Sequence, residues 1–411
     1  MESYKKERSN FYKQINNFWA DLYGEEYALF DISVIDEPDL REIRLCTLRV
    51  GKIYFKAAEL LRNVDVQTFI DLGFPRETFD FIRLKTIPFE SVIARLDLVK
   101  NGDSYKCIEI NSDTPTFIKE LFYVNGLAAK KFKLEDPNEG MAEQLGKAVR
   151  KSVAESAKWL KEEEPYVVFT AHEENIEDKN TVLYLMELYS LPAKFIPLHK
   201  LRIVPGRGLY DENGRKINIL YRQTFPIESL IVDEDGSGNK IGQWLLQLVL
   251  ENKLAIINPP SAFLLQNKAV QAVIWGLHEI SDDFFTEEEH SWIQKYFLPT
   301  YLEPDPFIGK KVPYVKKPIF GREGDTVQIF GPSGNLLAEE DHKTYTDVPS
   351  IFQRFVELPQ TCYLSEKGKR NGHQLIGSFL ISGKPSAIGF RVGGEITNNL
   401  SFYLPAGLSR E

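Results

Sequence analysis

Three cysteines in 411 residues, Cys46, Cys107 and Cys362, are too few and too far apart for a disulfide framework or a cysteine-rich metal site. The core must therefore be held by burial, and a reducing compartment is the natural setting. No stretch reaches the ~18 uncharged apolar residues of a membrane span. The first 20 residues, MESYKKERSNFYKQINNFWA, are charged throughout and lack the apolar run of a secretory leader, so a cytoplasmic protein without membrane contact is expected. Positive charge is not in excess either. With 50 Lys and Arg against 59 Asp and Glu, the formal net charge of -9 speaks against a nucleic-acid partner. No repeat and no low-complexity tract occurs. At 43% hydrophobic and 27% charged, the chain is long enough for about two or three packed sub-regions.

Periodicity divides it. Apolar residues recur at helical spacing through Phe18, Trp19 and Leu22 and again through Ala57, Leu60 and Leu61, which predicts irregularly joined helices up to about residue 90 with no chemistry to assign. Met141, Leu145, Val149, Val153, Ala157 and Leu160 keep one stripe, which predicts a helix over Met141 to Leu160. Tyr166 to Thr170 reads as a buried strand, 179 to 190 as a helix, and Asn213-Gly214 as a turn before a strand over Ile217 to Tyr221. Helices are expected from Ser261 to His278 and from Glu287 to Tyr296, followed by strands with glycine-rich turns. The fold class is α+β. One unit over 1-411 is expected, with N-terminal helices and a hairpin in 1-164, a small α/β sub-domain in 165-260 and a final region in 261-411.

Residues 92 to 111 alternate with period two around Asn101-Gly102 and carry the most information. Arg95 and Asp97 share one strand face, as do Glu109 and Asn111. If Leu96, Leu98, Ile108 and Ile110 bury together, Leu96 lies opposite Ile110 and Leu98 opposite Ile108, which sets Asp97 across from Glu109 and Arg95 across from Asn111. A two-residue loop has the wrong parity for this, so an odd connection such as a three-residue turn with a G1 bulge is expected. Two carboxylates and a carboxamide suit magnesium completed by water and phosphates, and Arg95 suits charge developing on a phosphoryl group. An exposed face of alternating charge is the bland alternative. Asn111-Ser112-Asp113-Thr114-Pro115-Thr116 follows, a segment able to cap a helix and offer N–H groups to an anion.

Lys310, Lys311, Lys316 and Lys317 lie near Gly321-Arg322-Glu323-Gly324, a loop joining two strands whose backbone can approach phosphates. GREG alone is as consistent with a plain turn. Lys317 ends an otherwise apolar strand and must snorkel or find an anion, whereas Lys268, taken alone, suits a surface salt bridge. Arg391 closes a predicted hairpin over Ser382-Gly383-Lys384 and suits a carboxylate or phosphate clamp.

Taken in order, Arg95-Leu-Asp97, Glu109-Ile-Asn111-Ser-Asp-Thr-Pro-Thr116, Asn267-Lys268, Lys317-Pro318-Ile-Phe-Gly-Arg-Glu-Gly324 and Ile388-Gly-Phe-Arg391 resemble the motifs of the glutathionylspermidine synthase family. The resemblance implies an ATP-grasp ligase with permuted element order. It implies Mg2+ at Asp97, Glu109 and Asn111, a transition-state role for Arg95, and ATP contacts at Arg95, Leu96, Asp97, Lys268, Lys317, Gly324, Gln353, Glu395, Ile396 and Thr397. Substrate contacts are implied at Asp113, Thr114, Thr116 and Arg391, and at Glu177 and Asp178 for the amine, although Asp178 equally suits a helix cap. Glu228 matches a family motif of undefined role. The partners implied are a small acid or peptide and an amine, joined through an acyl phosphate with release of ADP. There is no room before residue 1 for the amidase domain of the bifunctional members and no Cys and His pairing suggests one, so none is expected, and Asp113-Thr114-Pro115-Thr116 differs from the serine-containing version of the glutathione-binding members. A nucleotide-binding pseudo-ligase acting through partners is the rival reading.

Overall fold

Apolar strands in a parallel sheet build one part of the molecule, and two larger antiparallel sheets with their helices build most of the rest, as seen in a computed structural model that describes residues 2–409. In the first part, Ala255–Ile257, Ile219–Gln223, Val167–Ala171 and Lys194–Phe195 form a parallel four-stranded sheet. Helices Met141–Leu160 and Ile176–Tyr189 pack together on one face, and on the other Val168, Leu220 and Ile256 join a core with Leu246 and Val249 of Ile241–Leu250, which is why its strands read as continuous apolar runs. Its four strands lie between residues 167 and 257, and one of its helices, Met141–Leu160, comes from before them.

The larger antiparallel sheet contains, in order, Phe402–Leu404, Lys384–Gly393, Gly368–Ile381, Ile93–Asn101 and Ser104–Asn111, with Gln360–Ser365 added on Gly368–Ile381. The long helix Glu37–Leu61 lies against it, capped at its start by Asp36 and burying Leu40, Ile43, Val50, Ile53, Ala57 and Leu61 at helical spacing. The second antiparallel sheet runs Thr300–Tyr301, Ser350–Arg354, Tyr314–Pro318, Gln328–Phe330 and Leu336–Glu339. None of the described helices is long and apolar enough to cross a membrane.

The expected helix from Ser261 to His278 is two helices, Pro260–Gln266 and Ala269–Glu279. Asn267 breaks it, because its extended backbone lets its side chain accept from the Ala269 N–H at 2.8 Å while the Lys268 N–H donates to the Ile319 carbonyl at 2.9 Å. Tertiary hydrogen bonds thus replace the helical ones. Two other helix expectations change. Phe18, Trp19 and Leu22 lie beyond the first helix, Glu2–Tyr12, in irregular backbone and the short strand Asp21–Leu22, where the Ala20 carbonyl accepts from the Tyr27 N–H at 3.0 Å. Ile176–Tyr189 starts before 179 because Asn175 caps it by accepting from the Asp178 N–H at 3.0 Å. Asp178 is therefore in the first turn and is not the cap.

The hairpin combines an expected register with an unexpected device. Asp97 pairs with Glu109, Arg95 with Asn111 and Leu96 with Ile110, but Leu98 pairs with Cys107 and Asn101 with Ser104. The loop is a two-residue Gly102-Asp103 turn, and parity is restored by a bulge at Ile108 inside the strand instead of by an odd loop. Ile108 leaves the core side that the alternation assigned to it, and Cys107 is buried there in its place.

Candidate active site

A single large cleft is walled by both antiparallel sheets. It takes Arg95, Asp97, Ile108, Glu109 and Asn111 from the acidic hairpin and Val315, Lys317, Ile329 and Gln353 from the five-stranded sheet. The loop Gly321 to Asp325 and the segment Glu395 to Thr397 close over it. The empty space, counted out to the open mouth and including the solvent there, is about 1410 Å³.

Arg95 and Asp97 sit two residues apart on one strand, so their side chains meet as a fork. Arg95 Nε donates to Asp97 Oδ1 at 2.7 Å and Nη2 to Oδ2 at 3.1 Å, with both groups buried. Arg95 Nη1 also donates to the Thr116 carbonyl at 3.1 Å. Asn111 Nδ2 reaches Glu109 Oε1 at 3.3 Å and Asp97 Oδ2 at 3.4 Å, which closes the polar face. Burial pushes the Asp97 carboxyl above its ordinary range despite Arg95. Burial acts on Glu109 too, but Lys268, Lys317 and Arg95 outweigh it and hold that carboxyl down at about 2. Among the described residues no three His, Cys, Asp or Glu side chains gather into a full metal cage. The donor set is nevertheless one of hard oxygens: Asp97 Oδ1 and both Glu109 oxygens have one partner each and keep a lone pair for a hard cation, while Asp97 Oδ2 has two partners, Arg95 and Asn111.

Lys268 contradicts its surface assignment. It is buried, donates to the Gly321 carbonyl at 2.7 Å and lies 3.4 Å from Glu109 Oε2, so it ties the glycine loop to the acidic hairpin. Lys317 is also buried, and burial pulls its ammonium down to about 8. Its hydrogen-bond partner is Gln353 Oε1 at 2.9 Å. Of the lysine run, only Lys317 lines the cleft; Lys316 alternates to the other face of the strand.

Thr116, Glu177, Gly324, Arg391, Glu395, Ile396 and Thr397 line the same cleft. Four expected site residues do not. Leu96 turns into the core on the opposite sheet face. Asp113 is buried in an ion pair with Arg222 and accepts from the Ile227 N–H at 3.2 Å, so its work is to hold the cleft floor to the parallel sheet. Thr114 is buried and offers its carbonyl to Gln223 at 3.2 Å. Asp178 lies behind Glu177 near Arg322 and Gln223, outside the lining. Glu177 itself is raised to about 8, first by burial and then by Glu120, Asp178 and Glu323.

The sequence profile described as glutathionylspermidine synthase preATP-grasp matches residues 3–409, nearly the whole chain. The chain belongs to this family. It is 22% identical over 405 residues to a Haemophilus influenzae protein named "Putative acid--amine ligase", covering 95% of this chain and 91% of the relative. In three dimensions it resembles a glutathione synthetase-like effector from Globodera pallida in its apo form. The TM-score is 0.61 at 13% identity, over 99% of this chain and 96% of the other, a likeness of fold.

In this glutathionylspermidine synthase preATP-grasp chain the N-terminal region is not chemically empty, contrary to expectation. Leu22, Tyr23 and Tyr27 reach the cleft, and the Tyr27 hydroxyl donates at 2.7 Å to Glu120, a buried carboxylate whose other oxygen has no partner among the described residues. Ile108, Val315, Ile329, Leu358 and Leu375 form an apolar wall that no motif marked. Local pattern carries no signal for Tyr27, since only tertiary packing brings it to Glu120.

Proposed function

We propose that this cleft binds ATP with magnesium and joins a carboxylic acid to an amine, as an ADP-forming ligase of the ATP-grasp type with permuted element order. What carries the reading is the convergence of two buried lysines, a hard-oxygen cluster and a glycine loop beside an apolar slot. The slot of Ile108, Val315, Ile329, Leu358 and Leu375 suits the adenine ring, and Lys268, Lys317 and the backbone near Gly324 suit the phosphates. The segment Glu395 to Thr397 closes the nucleotide side. Asp97, Glu109 and Asn111 would hold magnesium, which when bound screens the phosphate charge.

In this reading an acid carboxylate oxygen attacks the γ-phosphorus, the bond to the β,γ-bridging oxygen breaks and ADP leaves. Arg95 stabilises the charge spread over the transferring group. The amine nitrogen then attacks the acyl phosphate, phosphate leaves, and the nitrogen gives up a proton to form the amide. Arg391 and Thr116 orient the acid, Glu177 faces the amine with Asp178 behind it, and Asp113 and Thr114 shape the floor. The family and the name of the Haemophilus influenzae relative support an acid–amine ligase. Free cysteines agree with work in a reducing cytoplasm.

The test is release of ADP and phosphate with MgATP across pairs of acids, peptides and amines. Turnover is expected only when both substrates are present. Brisk ADP production with acid alone would point to a kinase, and MgATP binding without turnover in any pair would favour a nucleotide-binding pseudo-ligase.

A further inference from the structure

Lys317 is a buried ammonium that, among the described residues, has no carboxylate within salt-bridge distance and is held instead by a chain of amides. Gln353 Oε1 accepts from Lys317 Nζ at 2.9 Å. Gln353 Nε2 donates to Gln271 Oε1 at 2.6 Å and approaches Thr300 Oγ1 and the Ile108 carbonyl, each at 3.3 Å. Gln271 Nε2 in turn donates to the Ile108 carbonyl at 2.9 Å. Gln271 and Gln353 are each 1% exposed, so water does not compete for these bonds.

The direction of this chain is fixed at both ends. A backbone carbonyl only accepts, so the Gln271 NH2 must face Ile108 and its oxygen must face Gln353. An ammonium only donates, so the Gln353 oxygen must face Lys317. Each amide therefore turns its oxygen toward the ammonium, and no amide can flip without setting donor against donor or acceptor against acceptor. The anchor is also particular: Ile108 is the bulged residue, and the residue after it is Glu109.

We propose that Gln271, which does not line the cleft, is a positioning residue for nucleotide binding that acts through Gln353 to hold Lys317 extended toward the phosphates and in fixed relation to the Glu109 strand. This rests on the nucleotide reading of the cleft. Without Gln271, the Gln353 amide loses its orienting acceptor and is free to turn, and Lys317 loses its fixed partner. Such a loss should appear in ground-state binding of the polyphosphate and much less in the rate of the bound complex.

The experiment measures the dissociation constant of MgATP by calorimetry for the wild type, Gln271→Leu, Gln353→Leu and the double variant, with kcat alongside. Each single change should weaken binding about tenfold, the scale of one charge-assisted hydrogen bond, and Gln271→Leu, which lies outside the cleft, should leave kcat within a few fold. The double variant should be no weaker than the weaker single, because both act through Lys317. Gln271→Glu keeps an acceptor for Gln353 but sets an oxygen against the Ile108 carbonyl. It should weaken binding in the same direction and serves if the apolar variants do not fold. Wild-type binding with unchanged affinity in the folded Gln271 variants, or additive losses in the double variant, overturns the relay alone. No MgATP binding by the wild type overturns the reading of the cleft and the relay with it.

Discussion

Asp97 faces two opposing demands at the level of single atoms. It stands directly across from Glu109, so neutralising either acid relieves a like-charge contact, and yet both its oxygens serve the Arg95 fork. The second effect should win. Arg95 is 5% exposed, and a buried guanidinium that loses its counterion has no water to turn to, whereas Glu109 already has Lys268 within 3.4 Å. Asp97→Asn would keep one acceptor but point an NH2 at the guanidinium. We expect it to cost about 2 to 3 kcal/mol of stability, measured by denaturant unfolding without nucleotide or metal, and to abolish amide formation. A variant as stable as the wild type would show that repulsion from Glu109 outweighs the fork.

At the level of strands and helices the bulge at Ile108 makes a testable claim about register. Cys107 pairs with Leu98 and Glu109 with Asp97, so removing Ile108 joins two correct pairs into a regular ladder without turning any acid to the core. Deletion of Ile108 is therefore expected to give a folded protein that keeps Asp97 opposite Glu109, with normal far-UV circular dichroism. It should bind MgATP at least about tenfold more weakly, since the apolar wall and the anchoring carbonyl both go. Failure to fold would mean that the bulge is required for the sheet itself. The alternation of the hairpin was enough to place the acids face to face, because burying Leu96 and Ile110 leaves no other register for them. It could not say where the extra residue lies, since a loop and a bulge restore parity equally well. Single helices show the same division: Met141–Leu160 and Glu287–Tyr296 have the bounds their periodicity predicts. The break at Asn267 depends on Ile319 and Leu72, distant partners that no local window contains. Lys268 inside its salt bridge and Tyr27 against Glu120 were hidden for the same reason.

Across the whole molecule, function depends on how the two antiparallel sheets meet over the cleft, and the glycine loop is the point of contact. Gly324 has φ +72, and a Cβ placed there would lie 2.7 Å from the Thr397 carbonyl and 2.9 Å from Ile396 Cγ2. The loop from the five-stranded sheet thus touches the segment that follows Lys384–Gly393 of the other sheet, with no room for a methyl group. Both segments line the cleft, so MgATP should draw them together and exclude water from the phosphates. Amide exchange is then expected to slow on adding MgATP both at about 320 to 326 and at about 394 to 398, as one event. Gly324→Ala should uncouple them. A methyl group at positive φ against a backbone carbonyl should cost about 1 to 3 kcal/mol of stability, and kcat/KM should fall at least tenfold because the strained and crowded loop cannot close. Normal activity in this variant, or exchange that slows in one segment and not the other, would mean that the loop is only a turn between two strands and that the cleft works without closing there.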